Sequence, residues 1–166
     1  IDISNPDGHM VVDIGGGTSE IAVIALGGIV NNKSIRTAGD DFIDDIVEYM
    51  RKQHNMHVGE RTAEMIKIEV GSALTELDNP PDEYAVHGRD LLTGIPKEIK
   101  VNYSEIAYCL DKSISKIETA VLNALEQTPP ELAADIYRTG IYLTGGGALL
   151  RGLDIRLHAK TKLPIH

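Results

Sequence analysis

The chain has 166 residues, 42% of them hydrophobic, with 16 basic against 25 acidic side chains and a formal charge of −9. That length and apolar share support a folded core and exclude a disordered tract. The acidic balance disfavours nucleic acid and anionic membrane surfaces as partners, so a bound phosphate must be held by local backbone dipoles and metal.

The first predicted element is a strand, Met10 to Ile14, broken by Gly15-Gly16-Gly17-Thr18. A second β-type run, Glu20 to Leu26, follows at once, and Gly27-Gly28 turns it toward Ile29-Val30. The triple glycine therefore joins two strands as a hairpin. From Gly39 the period becomes helical, with Phe42, Ile43, Ile46, Val47 and Met50 on one face. Asp40, Asp41, Asp44 and Asp45 match the dipole of that helix start, a simpler reading than a metal cluster. A second helix is predicted over Glu60 to Leu77, with the stripe Ala63, Ile66, Val70, Ala73, Leu74 and Leu77, ended by Asn79-Pro80-Pro81. His54 and His57 fall at a helix end and the loop after it; with no third well-spaced ligand they are read as structural.

Two strands follow, Glu83 to Arg89 and Ile95 to Val101, turned at Thr93-Gly94. Ser104 is the predicted cap of the longest helix, whose stripe is Ile106, Leu110, Ile114, Ile117, Val121 and Leu125. Cys109, the single cysteine, lies between Tyr108 and Leu110 at a buried helical position. One cysteine excludes an internal disulfide and is compatible with a reducing compartment. Pro129-Pro130 starts a short helix to about Arg138. A buried strand, Ile141 to Thr144, then runs into Gly145-Gly146-Gly147, and Leu149, Leu150, Leu153 and Leu157 mark a closing helix. The order is α/β with an inserted lobe at about Ala38 to Asn102. No apolar run approaches the ~18 residues of a spanning helix, and no signal peptide is read. The chain does not begin with Met, which suggests an excised piece.

Three places carry candidate chemistry. In Asp13 to Thr18, glycines without Cβ let backbone N–H groups approach phosphate oxygens. Asp13 is placed to hold Mg²⁺ through water, and Thr18 to donate to a terminal phosphate or orient an attacking water. The plain alternative is a glycine-rich turn without a ligand. The second loop, Gly145, Gly146, Gly147 and Ala148, leads from strand to helix and suits an anion or a purine face; the alternative is a close packing turn. Glu64 and Lys67 share a helix face, where Glu64 can accept from ribose hydroxyls while Lys67 packs beside the sugar; the alternative is a surface ion pair. Neither a P-loop nor a dinucleotide fingerprint is present, since no Gly-Lys-Ser/Thr occurs and the first loop lies between strands.

Together and in this order, these motifs resemble the second half of the actin, heat-shock-chaperone and sugar-kinase ATPase superfamily. Within it the chain is most similar to the MreB family of bacterial actin-like rod-shape proteins. The residues that carry the likeness are Val11 to Glu20, Gly88-Arg89-Asp90-Leu91-Leu92-Thr93-Gly94-Ile95-Pro96-Lys97, and Leu143 to Gly152. Ser19 stands where threonine is common, and keeps a hydroxyl.

The resemblance implies an RNase H-like core, domain IIA, at Ile1 to Thr37 and Tyr103 to His166, with an α+β lobe, IIB, between. It implies a phosphate hairpin (Asp13, Gly15, Gly16, Gly17, Thr18), a ribose helix (Glu64, Met65, Ile66, Lys67) and an adenosine loop (Gly145, Gly146, Gly147, Ala148), binding ATP or ADP with Mg²⁺. It implies further a cytoplasmic filament of like subunits at the inner face of the membrane, working with inner-membrane cell-shape and wall-synthesis proteins to guide elongation. The first domain, with its phosphate loop, catalytic glutamate and membrane-binding segments, and the connecting helix expected after His166 would be absent. The parent would then be a slow ATPase coupled to polymerisation, and these residues alone inactive. A sugar or acetate kinase and a chaperone ATPase share the superfamily. The Gly88–Lys97 stretch argues against the kinase, and the small second lobe against the chaperone.

Overall fold

The computed structural model of the protein describes residues 6–166; Ile1–Asn5, at the start of the predicted first lobe, lie outside the described residues. The chain divides into two units. One holds the chain up to Gly39 with Ile114–Leu149 and Leu153–His166, the other Asp40–Ser113 with Leu150–Gly152.

The first unit is built on a four-stranded sheet, whose strands are β1 (His9–Ile14), β2 (Ser19–Ala25), β3 (Gly28–Ile35) and β7 (Ile141–Thr144), in the order β3-β2-β1-β7. Alternation decides which face is buried: Met10, Val12 and Ile14 of β1 and Ile21, Val23 and Ala25 of β2 point into the core. β1 pairs antiparallel with β2 and parallel with β7, so the glycine hairpin and the glycine loop both leave from the carboxyl ends of neighbouring strands. Helix α4 (Pro130–Thr139), which the prolines do start, packs on β1, and α5 (Leu153–Thr161) buries Leu153 and Leu157. Gly140, at φ +81°, makes the turn from α4 into β7 that a Cβ would block against Pro164.

The second unit contains α1 (Gly39–His54, whose first residue belongs to the first unit), the two-residue strand β4 (Met56–His57), α2 (Glu60–Val70), and the hairpin β5 (Tyr84–Asp90) and β6 (Pro96–Val101), with sheet order β4-β5-β6. The long helix α3 (Tyr103–Glu126) has its first part in this unit and the rest in the other. Its buried stripe includes Ile106, Leu110, Ile114, Ile117 and Val121, as the helical period predicts.

Four details differ from the sequence expectation. Helix α2 ends at Val70 rather than Leu77, because Gly71 takes an extended conformation (φ −65°, ψ 137°) and its N–H bonds to the Lys67 carbonyl. Ser72 Oγ then ties up Leu74, and Ala73 reaches the core from a turn, so the apolar stripe outlives the helix. The cap of α3 is Asn102, whose Oδ1 accepts the Glu105 N–H at 2.9 Å, and Ser104 already lies inside the helix. β4, too short for any periodicity, went unpredicted; it pairs with β5 at Arg89 and Asp90. The glycine loop after β7 enters a four-residue 3-10 turn, Gly146–Leu149, before α5 begins, and Leu149 is exposed.

His54 and the cysteine have structural partners. His54 Nε2 lies 2.8 Å from Glu105, whose carboxylate also accepts from Tyr49. Cys109 Sγ donates to the Asp45 carbonyl at 3.2 Å, and the Asp45 carboxylate accepts from Ser113. Burial pushes the Cys109 thiol up to about 12. Among the described residues no group of His, Cys, Asp and Glu could hold a metal by itself, and no helix is long and apolar enough to cross a membrane.

Candidate functional site

The first unit brings Asp13, Gly15, Gly16, Gly17, Thr18 and Gly145 to Ala148 to one edge of its sheet. Asp13 is the β1 residue opposite Thr144 of β7 and Glu20 of β2. Its carboxylate is exposed and lies beside Gly145: a Cβ there would fall 2.5 Å from Asp13 Oδ1. The hairpin turn is closed by the Gly15 N–H donating to the Thr18 carbonyl at 3.0 Å, and the Gly15 carbonyl accepts from Gly39 at 2.9 Å. Ser19, next along, is fully buried and its hydroxyl donates to the Thr37 carbonyl at 2.6 Å. Thr18 is thus the first exposed hydroxyl of the turn and Ser19 its anchor.

The glycines fall into two classes. Gly145, at φ +89°, and Gly147 are demanded by packing, since a Cβ on either would collide with Ile14. Gly17 and Gly146 meet nothing within 4 Å where a Cβ would stand, and neither has a positive φ. Gly16 and Gly17 are exposed and donate no backbone hydrogen bond within the turn. The fold alone gives no reason for glycine at 17 or 146, whereas a ligand approaching the backbone closely gives one. The residues present therefore fit a phosphate-bearing group, with an exposed carboxylate alongside for a hydrated cation. The second loop enters a four-residue 3-10 turn, which is too short to sustain a helix dipole.

In the second unit, α2 carries Glu64, Met65, Ile66 and Lys67. Lys67 Nζ pairs with Glu64 Oε1 at 3.2 Å. Met65 is exposed, while Ile66 is fully buried in the core, so its side chain faces away from solvent. The end of this helix is clasped by the segment that follows the second glycine loop. Arg151 Nη1 donates to the carbonyls of Ile68 (3.0 Å) and Gly71 (3.3 Å), and the Arg151 carbonyl accepts from Ala73 at 2.8 Å. Sequence reasoning quoted Arg151 within a motif and gave it no role; its partners lie more than seventy positions away and leave no local signal.

The Gly88–Lys97 stretch also acquires a physical account. The Asp90 carboxylate accepts from Leu92 N, Thr93 N, Thr93 Oγ1 and, at 2.9 Å, Lys97 Nζ. These donors hold its carboxyl well below the usual range. Lys97 Nζ reaches on to the His54 carbonyl at 2.8 Å, and Gly88 lets β5 pass Met56 and His57, where a Cβ would be 2.6 Å from the His57 carbonyl. The motif braces a turn that leaves Leu92 and Ile95 exposed.

Comparison with known proteins agrees with this fold. The family model described as "MreB/Mbl protein" matches residues 1–166. The cell shape-determining protein Mbl of Bacillus subtilis is 46% identical over 165 residues, covering 99% of this chain and 49% of Mbl. The cell shape-determining protein MreB of Escherichia coli K12 is 48% identical over 166 residues, covering 98% of this chain and 46% of MreB. The chain thus spans about half the length of the curated relatives it matches. The crystal structure of MreB5 of Spiroplasma citri bound to AMPPNP superposes with a TM-score of 0.96 at 43% identity, over 100% of this chain and 49% of that one. A MamK double helical filament, at 20% identity and a TM-score of 0.72 over 95% of this chain and 48% of that one, shares the fold.

Proposed function

The chain belongs to the MreB/Mbl family, and from that premise we propose that it is half of an ATP-binding bacterial actin homologue whose filaments organise wall elongation and maintain rod shape. The observation that carries the nucleotide reading is the pair of open glycines, Gly17 and Gly146, beside the exposed Asp13 at the carboxyl ends of β1 and β7. Ligand sites in sheets with parallel strands gather at that edge. MreB5 bound to AMPPNP, and the same protein bound to ADP, support the choice of ligand.

In this reading the N–H groups of Gly16, Gly17 and Thr18 face phosphate oxygens, with Gly15 closing the turn behind them. Asp13 holds Mg²⁺ through water, and the cation's contribution is to neutralise phosphate charge. The Thr18 hydroxyl donates to the terminal phosphate or orients water. Gly145 to Ala148 flank the adenosine. Glu64 accepts from ribose hydroxyls while Lys67, its ion-pair partner, packs beside the sugar, Met65 lies alongside, and Ile66 roots the helix in the core.

We place the group that aligns water for hydrolysis in the half of the relatives' length that this chain does not span. The 166 residues by themselves then show no meaningful turnover. A filament of like subunits at the inner face of the membrane, in contact with cell-shape and wall-synthesis proteins, is the setting that the name "cell shape-determining protein" supports. The test is sedimentation of the full-length protein with Mg-ATP, with ADP, and as Asp13→Ala. Pelleting that needs ATP and is lost in the variant supports the account. A protein that stays soluble throughout, lipid included, sinks the filament reading.

A further inference from the structure

We propose that Arg151 is a positioning residue for the nucleotide: it fixes the last turn of α2 and with it the pose of Glu64 and Lys67. The inference rests on the nucleotide reading above and extends it to a residue outside the three motifs.

A helix leaves its last carbonyls without intrahelical partners, and the last turn frays first unless something receives them. The usual remedy, a left-handed glycine, is absent here, because Gly71 is extended. Arg151 supplies the remedy instead. Its guanidinium bonds to the carbonyls of Ile68 and Gly71 and brings a positive charge to the negative end of the helix.

The backbone around it is sewn down as well. Ser72 and Arg151 form a parallel bridge, Ala73 N–H donates to the Arg151 carbonyl, and the Ser72 hydroxyl lies 3.5 Å from that carbonyl. Gly71 has no room for a Cβ against the Lys67 carbonyl, with Leu150 3.0 Å away, and Gly152 holds φ +76° against Leu74.

Lys67 belongs to the turn so held, since its carbonyl takes the Gly71 N–H at 2.9 Å. Its ammonium is the partner of Glu64. Releasing the clasp frees the helix end that carries Lys67, and the Glu64–Lys67 pair loses its fixed geometry. Arg151 follows Ala148, the last residue of the loop assigned to adenosine, by three positions in the chain.

The experiment compares full-length wild type, Arg151→Ala and Arg151→Lys for affinity toward ATP and toward 2′-deoxy-ATP, with amide exchange over residues 67–71 as a second readout. The expected result is that Arg151→Ala weakens ATP about tenfold, the worth of one hydrogen bond to a charged group, and 2′-deoxy-ATP little. Discrimination between the two then collapses, exchange at 67–71 accelerates, and Arg151→Lys restores part of both. Equal weakening of both nucleotides, or faster exchange with discrimination intact, overturns the positioning role and leaves a purely structural cap. Absence of nucleotide binding by wild type overturns the nucleotide reading itself, and the proposal with it.

Discussion

The two glycine runs look alike in sequence and are built for different reasons. In the loop after β7, Gly145 and Gly147 are dictated by the fold, because Ile14 of the neighbouring strand occupies the space a side chain would need. In the β1–β2 hairpin, Gly17 has open space around it and an ordinary φ, so nothing in the described protein demands its identity. Gly146 sits between two required glycines and shares the freedom of Gly17. A glycine that packing requires says little about ligands. One that packing does not require, at the carboxyl edge of a sheet beside an exposed carboxylate, says a good deal more.

This contrast can be broken by substitution. Gly145→Ala and Gly147→Val place atoms on Ile14, and Gly145→Ala also strains a positive φ. Each is expected to destabilise by roughly 3 kcal/mol, read from urea unfolding. Gly17→Ala and Gly146→Ala are expected to leave stability within about 0.5 kcal/mol and to weaken ATP binding by about tenfold or more in the full-length protein. A large stability loss from Gly17→Ala, with affinity unchanged, would reverse the assignment of the two classes.

The same question, which residues the fold holds and which it leaves free, sharpens at the start of α3. Asn102→Ala removes the bond to Glu105 N–H and should cost about 1 kcal/mol, whereas Ser104→Ala should fall within about 0.5 kcal/mol of wild type. Thermal unfolding of both variants separates the two caps. A smaller effect is expected at Cys109, held under the Asp45 carbonyl. Its folded-state pKa is raised, to about 12. The unfolded thiol titrates near 8.5, so stability is unaffected below about pH 8.5 and declines as pH rises from there toward 12. Cys109→Ala should flatten that part of the profile, and alkylation of the native thiol at pH 8 should be slow beside that of the unfolded chain.

Much of the fold was legible because its elements have strong periods. The hairpin of β1 and β2, the helices α1 and α3, and the strand Ile141–Thr144 follow from alternation or from the 3.6-residue stripe. Their ends were not, because side chain–backbone bonds set them: Asn102 rather than Ser104 starts α3, and Gly71 with Ser72 stops α2 short of Leu77. The glycine runs of the site were legible as runs. Which glycines the fold needs was not, since that depends on Ile14 and Asp13 lying against a loop far along the chain. Arg151 was hidden for the same reason, as its partners Ile68 and Gly71 lie at the end of α2, far back in the chain.

The most direct test of the central claim follows backbone amides of the full-length protein by NMR during titration with Mg-ATP. The account predicts that Gly16, Gly17, Thr18 and Gly146 shift most and saturate together. Saturable binding that leaves these four unmoved, with shifts gathered elsewhere, would contradict it.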